Sequence, residues 1–212
     1  MFRFLIACLL PLFLLGCGAQ SVWAPDEDVA RAAYRDKAPP SITLYTMVNN
    51  RSGAGGHSAL LINASQRVIF DPAGSWWHRL APERNDVIYG ITPTMLDFYI
   101  DYHARETYHV VEQTLQVSPE LAEQALRIVE GYGAVPKAMC ARSTSDVLNR
   151  LPGFESIPHT LRPIKVMEAF GKLPGVTTRK IYDDDPDEHE ELLREQQRAR
   201  FDKLVEGIAE GR

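Results

Sequence analysis

The chain has 212 residues and a formal net charge of -5, a length that suits one domain with its own hydrophobic core. The acidic balance disfavours a nucleic-acid partner, because phosphate backbones are bound by Lys- and Arg-rich surfaces. Beyond residue 16 no stretch is apolar enough to cross a bilayer as a helix, which takes roughly 20 apolar residues. Composition therefore favours a single globular domain that follows a distinct N-terminal segment.

The N-terminal residues 1–16 have the layout of an export signal. Arg3 precedes an apolar run that ends at a small residue, as in secreted precursors. Residues 14–17 (Leu-Leu-Gly-Cys) resemble a bacterial lipobox. The resemblance implies that Cys17 is lipidated and becomes the N-terminus, and that Gly18 sends the protein to the outer membrane, facing the periplasm. The alternative is an ordinary secretory signal with an incidental cysteine.

The cysteine content bears on the chemistry of the exported domain. The three cysteines are Cys8, Cys17 and Cys140. Signal removal discards the first and lipidation consumes the second, so the mature chain keeps one free thiol and a net charge of -6. Cysteines usually pair in the oxidising envelope. An unpaired cysteine there is either buried and inert or a reactive thiol.

Residues 17–40 are interpreted as a lipidated N-terminus and a tether, with a short helix over 29–34. Residues 41–182 are interpreted as the domain. Its first half predicts strands over 41–48, 57–62 and 67–71, and Gly-rich or turn-forming residues separate these strands. We expect them to form an antiparallel β-meander.

The second half of the domain alternates between strands and helices. The patterns predict strands over 86–92, 108–117 and 176–182, and helices over 93–100, 119–131, 138–150 and 161–172. The expected fold class is therefore α+β, an antiparallel meander packed against helices. Residues 183–212 predict a charged C-terminal helix. Such a helix is either a solvated appendage or a partner-binding element.

Three residue types in this layout can support nucleophilic catalysis. Cys140 falls in the first turn of a predicted helix, where the helix N-terminus lowers a thiol pKa. His57 opens a strand expected to be central, and Asp71 ends the next strand. Side chains on paired strands lie side by side, and a carboxylate can hold an imidazole in its useful tautomer. A thiolate still needs such a base.

Three segments, 56–62 (Gly-His-Ser-Ala-Leu-Leu-Ile), 68–72 (Val-Ile-Phe-Asp-Pro) and 139–148, resemble a circularly permuted NlpC/P60 (papain-like) hydrolase. The resemblance covers roughly 41–150. It implies a permuted papain-like architecture and an envelope thiol hydrolase that cleaves an amide, such as a peptidoglycan peptide bond, without cofactor or metal. The catalytic residues that it implies are Cys140 as nucleophile, His57 as general base and Asp71 as third polar residue.

This chain departs from the family pattern at two points. Eukaryotic acyltransferases of the permuted branch have a second histidine where Asp71 is aligned, and Asn does not precede Cys140. Two other functions stay open: a lipid-directed acyltransferase of the same fold, and a non-catalytic binding module of the envelope. In the module, Cys140 would only pack in the core and His57 would be structural.

The remaining aromatic and histidine residues are interpreted more simply. Trp76 and Trp77 form core or cleft wall, or alternatively line a substrate groove. The other histidines lack zinc-ligand spacing and are interpreted as incidental. They are His78, His103, His109, His159 and His189.

Overall fold

The computed structural model describes residues 18–198. The predicted signal peptide and Cys17, the predicted lipidation site, lie outside the described residues, as do residues 199–212. Seven strands form one antiparallel sheet. Their bounds are β1 Ser41–Asn49, β2 Gly55–Asn63, β3 Arg67–Phe70, β4 Glu83–Arg84, β5 Val87–Ile88, β6 Tyr108–Gln116 and β7 Thr177–Ile181. They lie in the order β4-β5-β3-β2-β1-β6-β7, so the predicted α+β class and antiparallel meander are confirmed.

Helices cover the sheet. Their bounds are α1 Asp26–Ala32, α2 Pro93–His103, α3 Pro119–Glu130, α4 Cys140–Asn149 and α5 Pro163–Phe170, followed by a helix α6 over 189–198. Two of the helices begin at polar caps: the Thr92 side chain accepts the Met95 N–H at 3.3 Å, and the Ser118 side chain accepts the Leu121 N–H at 3.2 Å. A proline in the first turn follows each cap, where its missing N–H costs nothing. No helix among residues 18–198 is long and apolar enough to cross a membrane.

Both faces of the sheet are buried, which explains the nearly continuous apolar runs of the central strands. On one face Leu44 and Leu60 pack with residues of α3, α4 and α5. On the other face Tyr45 and Ala59 pack with residues of α2 and with Leu192 of α6. Adjacent residues of β2 therefore point to different helix layers. This alternation decides which groups each strand residue can meet.

The segment expected to act as a tether contacts the domain from Ser21 onward. The Ala24 N–H donates to the Glu83 carbonyl at 3.0 Å. Further along, the Tyr34 carbonyl accepts the Arg67 N–H at 2.7 Å, and the Asp36 carboxylate pairs with the Arg67 guanidinium. The part of this segment that is free of such contacts is therefore short.

The C-terminal helix is also built into the fold, so the described part of it does not match a solvated appendage. Gln196 is 3 % exposed. Its side-chain amide donates to the Phe98 carbonyl at 3.0 Å, and its side-chain oxygen accepts the Trp76 indole N–H at 3.2 Å. Trp76 is buried as core, whereas Trp77 is largely exposed.

We expect Gln196→Ala to lower the free energy of unfolding by about 1–3 kcal/mol, because it leaves the buried Trp76 and Phe98 groups without partners. Urea titration followed by tryptophan fluorescence measures the change. Gln197→Ala is the matched control: its side chain makes only exposed contacts with the backbone of residues 77 and 79. Equal losses in the two variants would show that Gln196 does not anchor the helix.

Candidate active site

The predicted histidine and aspartate meet where β2 begins and β3 ends. These strands are antiparallel, with Leu60 opposite Phe70, so the start of one lies beside the end of the other. His57 Nε2 contacts Asp71 Oδ1 at 2.6 Å. A second donor, the Tyr99 hydroxyl, reaches the same oxygen at 2.8 Å. Asp71 therefore fixes the histidine ring while α2 fixes Asp71.

Cys140 approaches His57 from the opposite face of the sheet. It is the first residue of α4, where N–H groups lack intrahelical partners. The Cys140 and His57 side chains lie close enough for each to shift the pKa of the other. Because Nε2 is bonded to Asp71, the ring nitrogen left for the sulfur is Nδ1. The structure thus brings the three predicted residues together as a Cys–His–Asp series.

A polar contact holds α4 against β2 one turn after the cysteine. The Ser58 hydroxyl donates to Thr144 Oγ1 at 3.3 Å, and that hydroxyl lies 3.4 Å from the Ser58 carbonyl. Both residues are fully buried. Ser58 points to the α4 face because its neighbour His57 points to the α2 face. Because successive residues of β2 point to opposite faces of the sheet, this strand provides both the His57 ring and the Ser58 contact that holds α4.

The electrostatics of the site favour a thiolate paired with an imidazolium. Burial raises the pKa of the Cys140 thiol, but the hydrogen bond and charge of His57, with the N–H groups of Ser58 and Ala141, lower it below its usual value. Burial lowers the pKa of His57, whereas Asp71 and Cys140 raise it to about 10. Burial likewise raises the pKa of Asp71, and His57 lowers it overall. Each charged form is favoured by its neighbour.

His103 belongs to this cluster, so its interpretation from the sequence as an incidental histidine is wrong. Its ring stacks on that of His57, with centroids 5.9 Å apart, and its Nδ1 contacts the Tyr99 carbonyl at 2.7 Å. Burial lowers its pKa to about 4, with Asp71 opposing the shift, so His103 is neutral at neutral pH. The sequence feature that could have indicated His103 is its i,i+4 spacing from Tyr99, which places both side chains on one face of α2.

The loop that carries Asp71 is clamped by another carboxylate, that of Asp86. Asp86 Oδ1 accepts the Ala73 N–H at 3.0 Å, and Oδ2 accepts the Val135 N–H at 2.7 Å. The first bond holds the Asp71 turn, and the second holds the loop before α4. Gly74 closes over Asp71 so tightly that a Cβ would lie 1.8 Å from Asp71 Oδ2. Only glycine fits at that position.

A cleft of about 420 Å³ opens beside His57 and the Asp71 turn. The C-terminal segment forms one of its walls: His189 lies on Tyr102, with ring centroids 4.1 Å apart. Asp185 pairs with the buried Arg105 at 3.1 Å. The Cys140 sulfur does not line this cleft, and Cys140 is 8 % exposed. The cleft therefore exposes the histidine side of the site more than the thiol.

Two groups of described residues have the composition of a metal site, and one of them lies in this cluster. His57, Asp71 and His103 offer ligand atoms within 4.8 Å of one another. His57 and Asp71 already contact directly, however, and Tyr99 donates to the same carboxylate. An ion would have to separate this pair. The close placement of these ligand atoms is explained by the imidazole–carboxylate hydrogen bond, which is the bond that orients a histidine base.

Comparisons with known proteins add no relative to this picture. A scan against protein-family models and searches of curated proteins and of solved structures found no match to the chain.

We expect the Cys140 thiol to react with iodoacetamide with a rate–pH midpoint below its usual pKa of 9.0. His57→Ala should move the midpoint of the rate–pH profile upward, because burial then acts without the imidazolium. His109→Ala is the matched control, since His109 bonds Asn50 instead and is not part of the site. The pairing would be contradicted if His57→Ala left the midpoint in place.

Tyr99→Phe should lower the free energy of unfolding at pH 7 by about 1.5–3 kcal/mol, because an ionised buried carboxylate loses a donor. The lowered pKa of Asp71 means that its stabilisation is present above pH 3.8 and is lost as pH falls through the folded-state pKa. The deficit should therefore shrink in acid, as measured by urea titration at several pH values.

Tyr102→Phe is the control for this change, because the Tyr102 hydroxyl contacts the neutral Ser75 hydroxyl at 3.0 Å. Its cost should not vary with pH in the acid range. A pH-independent deficit in Tyr99→Phe as well would refute the link to Asp71.

Proposed function

We propose that the protein is a lipid-anchored thiol hydrolase of the bacterial cell envelope that cleaves an amide bond. The observation that carries the proposal is the Cys140–His57–Asp71 series, in which a thiol at a helix start lies near an imidazole that a buried carboxylate holds. A structural cysteine needs none of these partners. Their joint presence supports nucleophilic catalysis over a non-catalytic module.

In the first half-reaction the Cys140 thiolate attacks the amide carbonyl carbon. The developing oxyanion lies near the start of α4, whose free N–H groups can donate to it. His57 gives its Nδ1 proton to the amide nitrogen, the C–N bond breaks, and the amine leaves. The product is a thioester on Cys140 and a neutral His57.

In the second half-reaction His57 acts as a base. It takes a proton from water, whose oxygen attacks the thioester carbonyl. The C–S bond breaks, and the products are a carboxylic acid and the restored thiolate beside a protonated His57. Asp71 keeps the imidazole oriented through both steps. If an alcohol or amine takes the place of water, the same site performs acyl transfer.

The location and substrate class rest on resemblance. The lipobox-like residues 14–17 support lipidation of Cys17 and an envelope location, with the outer membrane favoured by Gly18. The order of His57 before Cys140, on a strand and a helix respectively, supports a permuted NlpC/P60 (papain-like) architecture. That family makes a peptidoglycan peptide bond the first substrate to test.

The test is digestion of purified muropeptides by the full-length protein in detergent, with products identified by mass spectrometry. We expect wild type to release one new amine and one new carboxylate per cut, and Cys140→Ala to release neither. Ser143→Ala, a buried substitution on the same helix, should keep activity. The rate should fall as pH rises through about 10, where His57 loses the proton needed by the leaving amine.

The alternatives give different products. A mass increase on Cys140 followed by transfer to an added alcohol or amine would identify an acyltransferase. If neither muropeptides nor simple thioesters and amides acylate Cys140, the hydrolase proposal fails and the binding module stands. Unfolding curves of the Cys140→Ala variant show whether it is folded.

A further inference from the structure

The described chain starts at residue 18, and Ser21 already forms a hydrogen bond with the domain. Only residues 18–20 separate Cys17 from Ser21. The Ser21 hydroxyl donates to Asn85 Oδ1 at 2.9 Å, and the Asn85 N–H donates to the Val22 carbonyl at 3.0 Å. Four residue steps of extended chain span at most about 14 Å. A lipid on Cys17 therefore has little freedom to move away from the β4 edge of the sheet.

This edge exposes apolar side chains instead of burying them. Trp23 is 62 % exposed and Val22 is 44 % exposed. Arg84 lies over the Trp23 ring, 4.7 Å from its centroid, which leaves the remainder of the ring to solvent. Tryptophan with a nearby arginine is the side-chain set that settles in the interfacial layer of a bilayer.

The acidic start of α1 does not oppose such a contact as strongly as its sequence suggests. Asp26 pairs with Arg84, and Asp28 pairs with Arg31 at 3.0 Å. Two of the three first-turn carboxylates thus have a cation beside them, and Glu27 is the third, so repulsion from anionic headgroups is reduced.

The same edge is joined to the active site through one tight turn. Asn85 and Asp86 connect β4 to β5, and both have positive φ, 45° and 66°, as in a type I′ hairpin. Asn85 bonds the N-terminal segment, whereas Asp86 bonds Ala73 in the Asp71 turn and Val135 before α4. Two adjacent residues therefore link the membrane-proximal segment to the site.

We propose that the β4 edge is a membrane-contact surface on which Val22 and Trp23 enter the interfacial layer of a phospholipid bilayer, and that this contact holds the Cys140–His57 site at the lipid surface. The inference rests on the proposed lipidation of Cys17. A tether this short gives the edge a high effective concentration at the bilayer, so even a weak apolar contact is occupied.

The experiment measures the position of Trp23 in the lipidated protein reconstituted into phosphatidylethanolamine–phosphatidylglycerol vesicles with or without brominated acyl chains. Subtracting the emission of Trp23→Phe from that of wild type isolates Trp23. We expect this difference emission to shift to the blue and to lose intensity in brominated vesicles. Inserting a long Gly-Ser segment after Gly18 should reduce both effects, because it lowers the effective concentration.

A second arm separates attachment from contact. In the chain from Cys17 onward, Cys140→Ala leaves Cys17 as the single thiol, which is coupled to a maleimide lipid in the same vesicles. Unquenched Trp23 in both arms would overturn the membrane contact while leaving lipidation and catalysis intact. Mass spectrometry of the envelope-purified protein reports on lipidation, and an unmodified Cys17 would overturn this inference together with the proposed location.

Discussion

The contact between His57 and Asp71 is the constraint on which the rest of the site depends. Two groups of opposite charge lie together where Asp71 is buried and His57 is mostly buried, and each is the chief group that stabilises the charged form of the other. Removing either would leave an uncompensated charge inside the protein. The surrounding groups depend on this pair. The Tyr99 hydroxyl donates to the carboxylate, and the imidazole lowers the pKa of the Cys140 thiol.

The sheet makes this contact possible because it is covered on both sides. The α2 layer supplies Tyr99 and His103, and the opposite layer supplies Cys140 at the start of α4. The histidine lies near the start of β2, where both layers are within reach. A sheet with one solvated face would offer the histidine a helix on one side and water on the other.

Unusual backbone conformations concentrate around the same point. Among residues 18–198, the non-glycine residues with positive φ are Ala73, Asn85, Asp86 and Ala138. Ala73 lies in the Asp71 turn, Asp86 clamps that turn, and Ala138 lies two residues before Cys140. Left-handed alanine costs about 1–3 kcal/mol, so the surrounding hydrogen bonds hold these loops in a shape that the local sequence does not prefer.

Local patterns were enough to predict much of this protein from its sequence. Alternating and continuous apolar runs indicated the strands, Pro and Ser or Thr caps indicated the helix starts, and consecutive antiparallel strands placed His57 beside Asp71. Such features depend on residues that are near one another along the chain or in adjacent strands. The position of Cys140 at a helix start followed from the same local reasoning.

Tertiary structure alone decided which distant groups complete the site and which termini are packed. Tyr99 and His103 meet Asp71 and His57 because α2 docks on one face of the sheet, and no local period encodes that docking. The charged C-terminal segment looked solvated, yet a buried Gln196 anchors it. These contacts join residues far apart in the chain, so their energies exist only after the sheet and its helices have assembled.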